Sequence, residues 1–443
     1  MMKNLFVRIL MLFVPCSALF VEWANAQSSY QPSAANLEAR KEFETDRFGV
    51  FLHWGIYATY AQGEWYLETG KLKNAEYSKA ADCFYPVRFD ARQWVRAIKD
   101  AGAKYICITS RHHDGFSMFK TTASPYNIVD GTPFKRDVLA ELAEACKEEG
   151  IKLHFYYSLL DWIREDYPVG RSGRNSGRTG GKADYDSYFS FMKGQVKELL
   201  TNYGDIRALW FDGYWDHDSD KTPFDWRMPE FYNYIHTLRP ACLIGNNHHI
   251  APIEGEDFQM FERDLPGENK SGFSANQTVS RLPLEMCETM NGMWGYKVGD
   301  LNYKSVTDIV RMLVRAAAKG SNLLLNIGPR PNGELPDLAL DRLKGVGEWM
   351  RLFGATVYGT QAGCVEPQEW GVSTQKDNQL YLHVFSLNSQ QLQVSLKQKV
   401  KSVTEYLSGT KLDFRQQKDG SLAITLPSVP TATDYVIHVT LKK

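Results

Sequence analysis

The run Ala208-Leu-Trp-Phe-Asp-Gly213 ends an apolar stretch of strand character in a carboxylate followed by glycine, with Trp210, Phe211, Tyr214 and Trp215 around it. A carboxylate just past a buried strand is stripped of water and held by its neighbours, and the glycine lets the chain turn without a Cβ clash. Barrel enzymes present a nucleophile or base in this way, at the carboxyl end of a strand. Asp-Gly is also an ordinary turn dipeptide, so the reading depends on what accompanies it. Similar groups close other apolar runs: His53-Trp54, with Glu64-Trp65-Tyr66 shortly after; Ser110-Arg-His-His-Asp-Gly-Phe116; Tyr156-Tyr157-Ser158, then Asp161-Trp162; and Gly245-Asn-Asn-His-His249. Neighbouring side chains on a strand face opposite ways. His112 and His113 therefore reach one site only from a loop just past the strand. Neither His-x-His nor His-Glu-x-x-His occurs, so a metal-dependent hydrolase is not expected.

The elements that must position these groups alternate in type. Residues 48–52, 104–109, 152–158, 206–211, 241–245 and 323–327 read as strands. Residues 91–102, 137–150, 188–203, 228–238 and 306–319 carry apolar residues at helical spacing, two of them stopped by Gly102 and Gly150. Strand and helix in alternation mean parallel strands joined by crossover helices. So many units favour a (β/α)8-like barrel in an α/β chain over an open sheet. Residues 250–300 have poor helical periodicity, so the later barrel helices are expected to be short or missing. From residue 356 the pattern changes to short alternating strands with turns such as Lys418-Asp-Gly420, which predicts an antiparallel β-sandwich over 356–443. The Arg- and Gly-rich stretch 169–182 lacks a phosphate-loop pattern and reads as a mobile solvated loop that could border the site.

The 443 residues, 43% of them hydrophobic and 23% charged, describe a globular protein with one large domain and a smaller one. A net charge of −1 argues against a nucleic-acid partner. Residues 1–26 read as a signal peptide: Lys3 and Arg8 precede an apolar run, and Ala24-Asn-Ala26 suits cleavage. The catalytic barrel would then span 27–355, and the protein would be exported, either to the periplasm or to the medium. No later stretch is apolar enough to span a membrane. Six cysteines follow the leader, at irregular spacing and with no CxxC pair.

Taken together, Phe48-Gly-Val-Phe-Leu-His-Trp-Gly-Ile56, Glu64-Trp-Tyr66, Arg111-His-His-Asp-Gly-Phe116, Leu209-Trp-Phe-Asp-Gly213, Met293-Trp-Gly-Tyr296 and Asn322-Leu-Leu-Leu-Asn-Ile-Gly-Pro329 resemble the α-L-fucosidases of glycoside hydrolase family 29. The resemblance covers residues 47–330, in the family's order. It implies a catalytic barrel with a C-terminal β-sandwich, no metal or organic cofactor, and a fucosylated glycan as substrate. It makes Asp212 the nucleophile of a retaining mechanism. It places His53, Glu64, Trp65, His112, His113, Tyr157, His248 and Trp294 around the sugar. For the acid/base the candidates are Glu262, Glu285 and Glu288. Asp257-Phe-Gln-Met-Phe-Glu262 is similar to the family's acid/base stretch and makes Glu262 the preferred choice. At Leu284 the chain departs from the later Trp-Glu-Thr-Cys segment, and at His248 from an arginine usual after Asn-Asn or Asn-Asp. A barrel glycosidase for another sugar and a catalytically silent sugar-binding protein are the alternatives.

Overall fold

The computed structural model describes residues 30–442; the leader expected at 1–26 lies outside them. Eight strands form one parallel sheet: β1 (Phe48–Leu52), β2 (Tyr105–Arg111), β3 (Lys152–Ser158), β4 (Ile206–Asp212), β5 (Leu243–Asn247), β6 (Gln259–Glu262), β7 (Leu284–Thr289) and β8 (Ser321–Ile327). They hydrogen-bond in the order β5-β4-β3-β2-β1-β8-β7-β6, which wraps into a nearly closed barrel. Strands such as β1 and β8 are buried along their whole length, as a sheet with helices outside and side chains inside requires. Alternation sorts the residues. Val50, Phe155, Tyr157, Leu209, Phe211 and Leu325 pack outward under the helices, whereas Phe51, Tyr105, Cys107, Tyr156, Trp210, Met260 and Leu324 fill the interior.

The barrel has a seam. β5 and β6 are neighbours but share no ladder. Asp257, just before β6, bridges them: its N–H donates to Ile244 O (2.7 Å), its carboxylate accepts from Ile244 N (2.8 Å), and Arg40 binds the same carboxylate at 2.6 Å.

Local chemistry explains the helix boundaries. Asp90, Asp137 and Asp184 each cap a helix with a side-chain oxygen, opening Ala91–Asp100, Val138–Glu149 and Tyr185–Asn202. Ser305 and Asp308 form a capping box at the start of Val306–Ala318. As the poor periodicity implies, no α-helix joins β5 to β6 or β6 to β7. The sequence pattern did not reveal β6 and β7, which carry Glu262 and Glu285 inward, nor the helices Ala34–Asp46 and Asp337–Phe353.

The remaining strands form a five-stranded and a three-stranded antiparallel sheet over a shared core that includes Leu380, Leu382, Leu392, Ile424, Ile437 and Val439. Arg311 on the helix Val306–Ala318 fastens this layer to the barrel by donating to Thr433 O (2.9 Å) and Phe385 O (2.6 Å). All six cysteines among the described residues are free thiols.

Candidate active site

The carboxyl ends of the strands surround a cavity of about 760 Å3. Asp212 is the last residue of β4 and points inward, in register with Ser158 on one side and Asn247 on the other. Gly213 follows at φ 97°, with Leu160 so close that a Cβ would lie 3.0 Å from it. That turn sends the chain sharply out of the strand. Both carboxylate oxygens are occupied. Oδ1 accepts from Gly213 N (2.8 Å), Trp215 Nε1 (3.1 Å) and Asn247 Nδ2 (3.4 Å). Oδ2 accepts from the Tyr156 hydroxyl (3.0 Å) and faces His113 Nε2 at 3.4 Å. Burial pushes the acid's pKa up. The hydrogen bond and charge of His113, the Trp215 N–H and the charge of His249 outweigh that and bring it down to about 2. Asp212 is thus held ionised.

Glu262 ends β6. Its Oε2 accepts from Asn247 Nδ2 (2.9 Å) and lies 3.1 Å from His249 Nε2. One amide nitrogen therefore touches both carboxyl groups. The two oxygens it contacts can be no further apart than its two bonds laid end to end, about 6.3 Å. A retaining glycosidase has its carboxyl groups about 5–5.5 Å apart, and an inverting one about 6.5–9.5 Å.

The other two candidate acids lie elsewhere. Glu285 is buried in the barrel floor, accepting from Tyr105 Oη (2.5 Å) and Trp210 Nε1 (3.0 Å). Burial, only partly offset by those two donors, pushes its pKa up to about 7. Glu288 points away from the cavity toward Lys304 (3.5 Å) and Arg263 (3.8 Å).

Hydrogen-bond chains fix the ring nitrogens. Asn326 Nδ2 donates to Trp294 O (2.7 Å), so its Oδ1 accepts from His53 Nδ1 (2.6 Å). His53 Nε2 is left as a bare acceptor toward the cavity, and burial lowers its pKa to about 3, keeping the ring neutral. The Ser158 hydroxyl donates to Leu160 O (2.6 Å) and accepts from His113 Nδ1 (2.8 Å). His112 and His113 both lie just past β2, and both line the cavity. Burial holds the His112 pKa well below the usual value. Glu64 accepts from Gly295 N (2.6 Å), and its burial raises its pKa. Trp65 stacks on Trp215, with ring centroids 5.6 Å apart, and Trp294 lies 5.2 Å from the His53 ring.

Two expected contacts are corrected. Tyr157 does not face the cavity: it lies on the outward face of β3 and donates to Gln195 Oε1 under a helix (2.8 Å). Strand alternation gives the inward place to Tyr156. His248 also turns away, with Nε2 2.9 Å from the buried Glu256. β5 ends with Asn247 inward, and the left-handed backbone of His249 (φ 63°) brings that ring into the cavity instead.

Tyr156, Trp215, Asn247 and His249 were therefore missed. The Asp-Gly-Tyr-Trp run was the one available signal for Trp215. The stretch 169–182 is also better packed than its composition implied. Ser172 is buried and donates to Asp216 Oδ1 (2.6 Å), and a Cβ on Gly170 would fall 2.1 Å from the same carboxylate. Arg171 and Ser172 border the cavity. Among the described residues no group of three or more His, Cys, Asp or Glu side chains could hold a metal ion.

A parallel barrel whose strand ends gather two carboxyl groups, neutral imidazoles and tryptophans around one cavity belongs to the class of glycoside hydrolases. The sequence profile of the alpha-L-fucosidase family matches residues 17–355, and the chain belongs to that family. It is 28% identical over 414 residues to the plasma alpha-L-fucosidase of Rattus norvegicus, covering 84% of each chain. Alpha-L-fucosidase isoenzyme 1 from Paenibacillus thiaminolyticus superposes with a TM-score of 0.82 at 36% identity, over 92% of this chain and all of that one. A GH29 alpha-L-fucosidase from Bacteroides thetaiotaomicron, solved as a trapped covalent intermediate with 2-fluoro-fucosyl fluoride, superposes at 0.79 with 26% identity, over 94% and 98% of the two chains.

Proposed function

We propose that the protein is an exo-acting, retaining α-L-fucosidase that removes terminal fucose from glycans in two displacements. The observation that carries this reading is the Asn247 amide bridging Asp212 and Glu262 at 3.4 and 2.9 Å. Asp212, ionised down to low pH, attacks the anomeric carbon. Glu262 gives its proton to the departing oxygen as the glycosyl ester forms. In the second step Glu262 takes a proton from water, which displaces Asp212 and releases fucose with its configuration retained.

His53 accepts from a sugar hydroxyl through its bare Nε2, and Glu64, His112 and His113 line the same pocket. Trp65 and Trp294 offer flat faces to the C–H surface and methyl of the 6-deoxy sugar. Tyr156 and His249 take the places first given to Tyr157 and His248. The catalytic domain spans 27–355 and the sandwich 356–443, with residues 1–26 removed on export. Among the described residues no helix is long and apolar enough to cross a membrane.

A panel of aryl glycosides tests the assignment. Aryl α-L-fucoside should be turned over at least about tenfold faster, in kcat/KM, than the matching galactoside. The galactoside's extra hydroxyl would be buried where the methyl packs, at a cost of about 1–3 kcal/mol. Equal rates on both, or no turnover of any member, would reject it.

A further inference from the structure

If Glu262 is the proton donor, on which the following rests, the position of the leaving group is constrained. The departing oxygen must come within hydrogen-bond reach of the Glu262 carboxyl. The first sugar beyond it therefore packs against whatever surrounds that carboxyl on the open side of the cavity. There the wall is made by His249, Arg263, Ser271 and Phe273. The Phe273 ring is stacked on His249, centroids 5.2 Å apart and planes 26° apart, and His249 Nε2 is 3.1 Å from Glu262. One ring separates this aromatic from the proton donor.

Phe273 is 40% exposed and belongs to none of the packed cores among the described residues. A lone exposed aromatic is ordinary on a protein surface; what distinguishes this one is how firmly its loop is built. The buried Asp264 carboxylate accepts from Lys270 N (2.8 Å) and Ser271 N (3.1 Å), and Asn269 Oδ1 accepts from Ser274 N (3.0 Å). Gln277 donates to Met260 O on β6 (2.8 Å), and the Gln259 side chain donates to Thr278 O (2.9 Å) and accepts from Ser280 N (2.8 Å). The loop leaves β6 directly after Glu262, and its later part, Gln277 to Ser280, is tied back to the same strand.

We propose that Phe273 is the platform of a leaving-group subsite, on which the apolar C–H face of a pyranose stacks while Glu262 protonates its bridging oxygen. Arg263 adds donors beside it. Its guanidinium lies over the Trp294 ring at 5.1 Å, donates to Gly292 O (3.2 Å), and stands 3.8 Å from Glu288, which it shares with Lys304. The preferred substrates are then fucosyl oligosaccharides, rather than fucose on a small or non-sugar group.

The test compares α-L-fucosyl fluoride, whose leaving atom is too small to reach the loop, with a panel of fucosyl disaccharides differing only in linkage. The readout is the ratio of kcat/KM for the best disaccharide to that for the fluoride, in wild type, Phe273→Ala and Phe273→Tyr. Phe273→Ala should lower the ratio about tenfold, the scale of a lost aromatic contact, and Phe273→Tyr should keep it within about threefold of wild type. The inhibition constant of the defucosylated sugar should rise in parallel in Phe273→Ala alone. An unchanged ratio in Phe273→Ala, or a wild type that cleaves the fluoride but no disaccharide, overturns the subsite. A wild type that cleaves neither overturns the fucosidase reading itself.

Discussion

Replacing Glu285 by glutamine should stabilise the protein at neutral pH and leave turnover almost untouched. Glu285 sits in the barrel floor with two donors, Tyr105 and Trp210, and no cation pairs with it among the described residues. Burial lifts its pKa from 4.5 to about 7. Below the lower value both the folded and the unfolded chain hold the proton, so the glutamate behaves like its neutral isostere. Between the two values the unfolded chain gives up its proton and the folded chain keeps it. Stability then falls by about 1.36 kcal/mol per pH unit. Above about 7 both forms are ionised and the loss stays constant, at about 3 kcal/mol for a gap of this size. Glutamine removes the loss: its carbonyl accepts from Trp210 and its amide donates to the Tyr105 oxygen.

The assay is the melting temperature of both proteins from about pH 4.5 to about pH 8. The curves should coincide at the acid end and separate by several degrees at the alkaline end. Taking the difference between the curves cancels every other titrating group they share. Curves that stay parallel would refute the linkage argument. A loss of activity on fucosyl oligosaccharides beyond about a hundredfold, with a much smaller loss on aryl fucosides of acidic phenols, would instead make Glu285 the catalytic acid.

Three further outcomes follow from the site. Asp212→Asn should lose roughly four or more orders of magnitude in kcat while still binding fucose, and NMR of the wild-type product should show the anomer retained; near-normal turnover by the folded variant, or an inverted first product, rejects the nucleophile role. Glu262→Ala should be crippled on glycans, whose alkoxide needs a proton, and much less impaired on substrates with acidic phenol leaving groups; equal losses on both count against Glu262. Tyr156→Phe removes a donor to Asp212 (3.0 Å) and should raise the acid's pKa from about 2 by roughly one unit or more. Since the attacking group must be ionised, the acid limb of kcat/KM should move up by the same amount, and an unmoved limb would show that Tyr156 does not set it.

The parts of the fold that follow one rule repeated many times were legible in the sequence. Runs such as Phe48–Leu52 and Ala208–Phe211 are apolar because both faces are covered, and Asp137 and Gly150 bracket a helix by capping chemistry. Parity within a strand was harder to read. Phe155-Tyr156-Tyr157 is apolar throughout, so nothing in it says which tyrosine faces the barrel axis. The answer comes from register with Trp210 and Phe211 on the next strand. His248 and His249 differ by a left-handed backbone turn at a non-glycine residue, which leaves no compositional trace. β6 and β7 were hidden because their inward positions carry Glu262 and Glu285 where a buried strand normally carries apolar side chains. On β6, where Glu262 is the proposed proton donor, function itself masked the pattern.

The unpaired seam between β5 and β6 falls between the two carboxyl groups, Asp212 standing one strand to one side and Glu262 at its edge. Across every other joint a ladder of main-chain bonds fixes how far one strand can slide along the next. Here the restraints are few: the main-chain and carboxylate bonds of Asp257 to Ile244 at the lower end, and the contacts of Asn247 and His249 with Glu262 at the upper. Few bonds therefore cross the barrel directly between the two carboxyl groups, and Glu262 takes its height along the axis from the far side, through the β6–β7 ladder that sets it in register with Cys287.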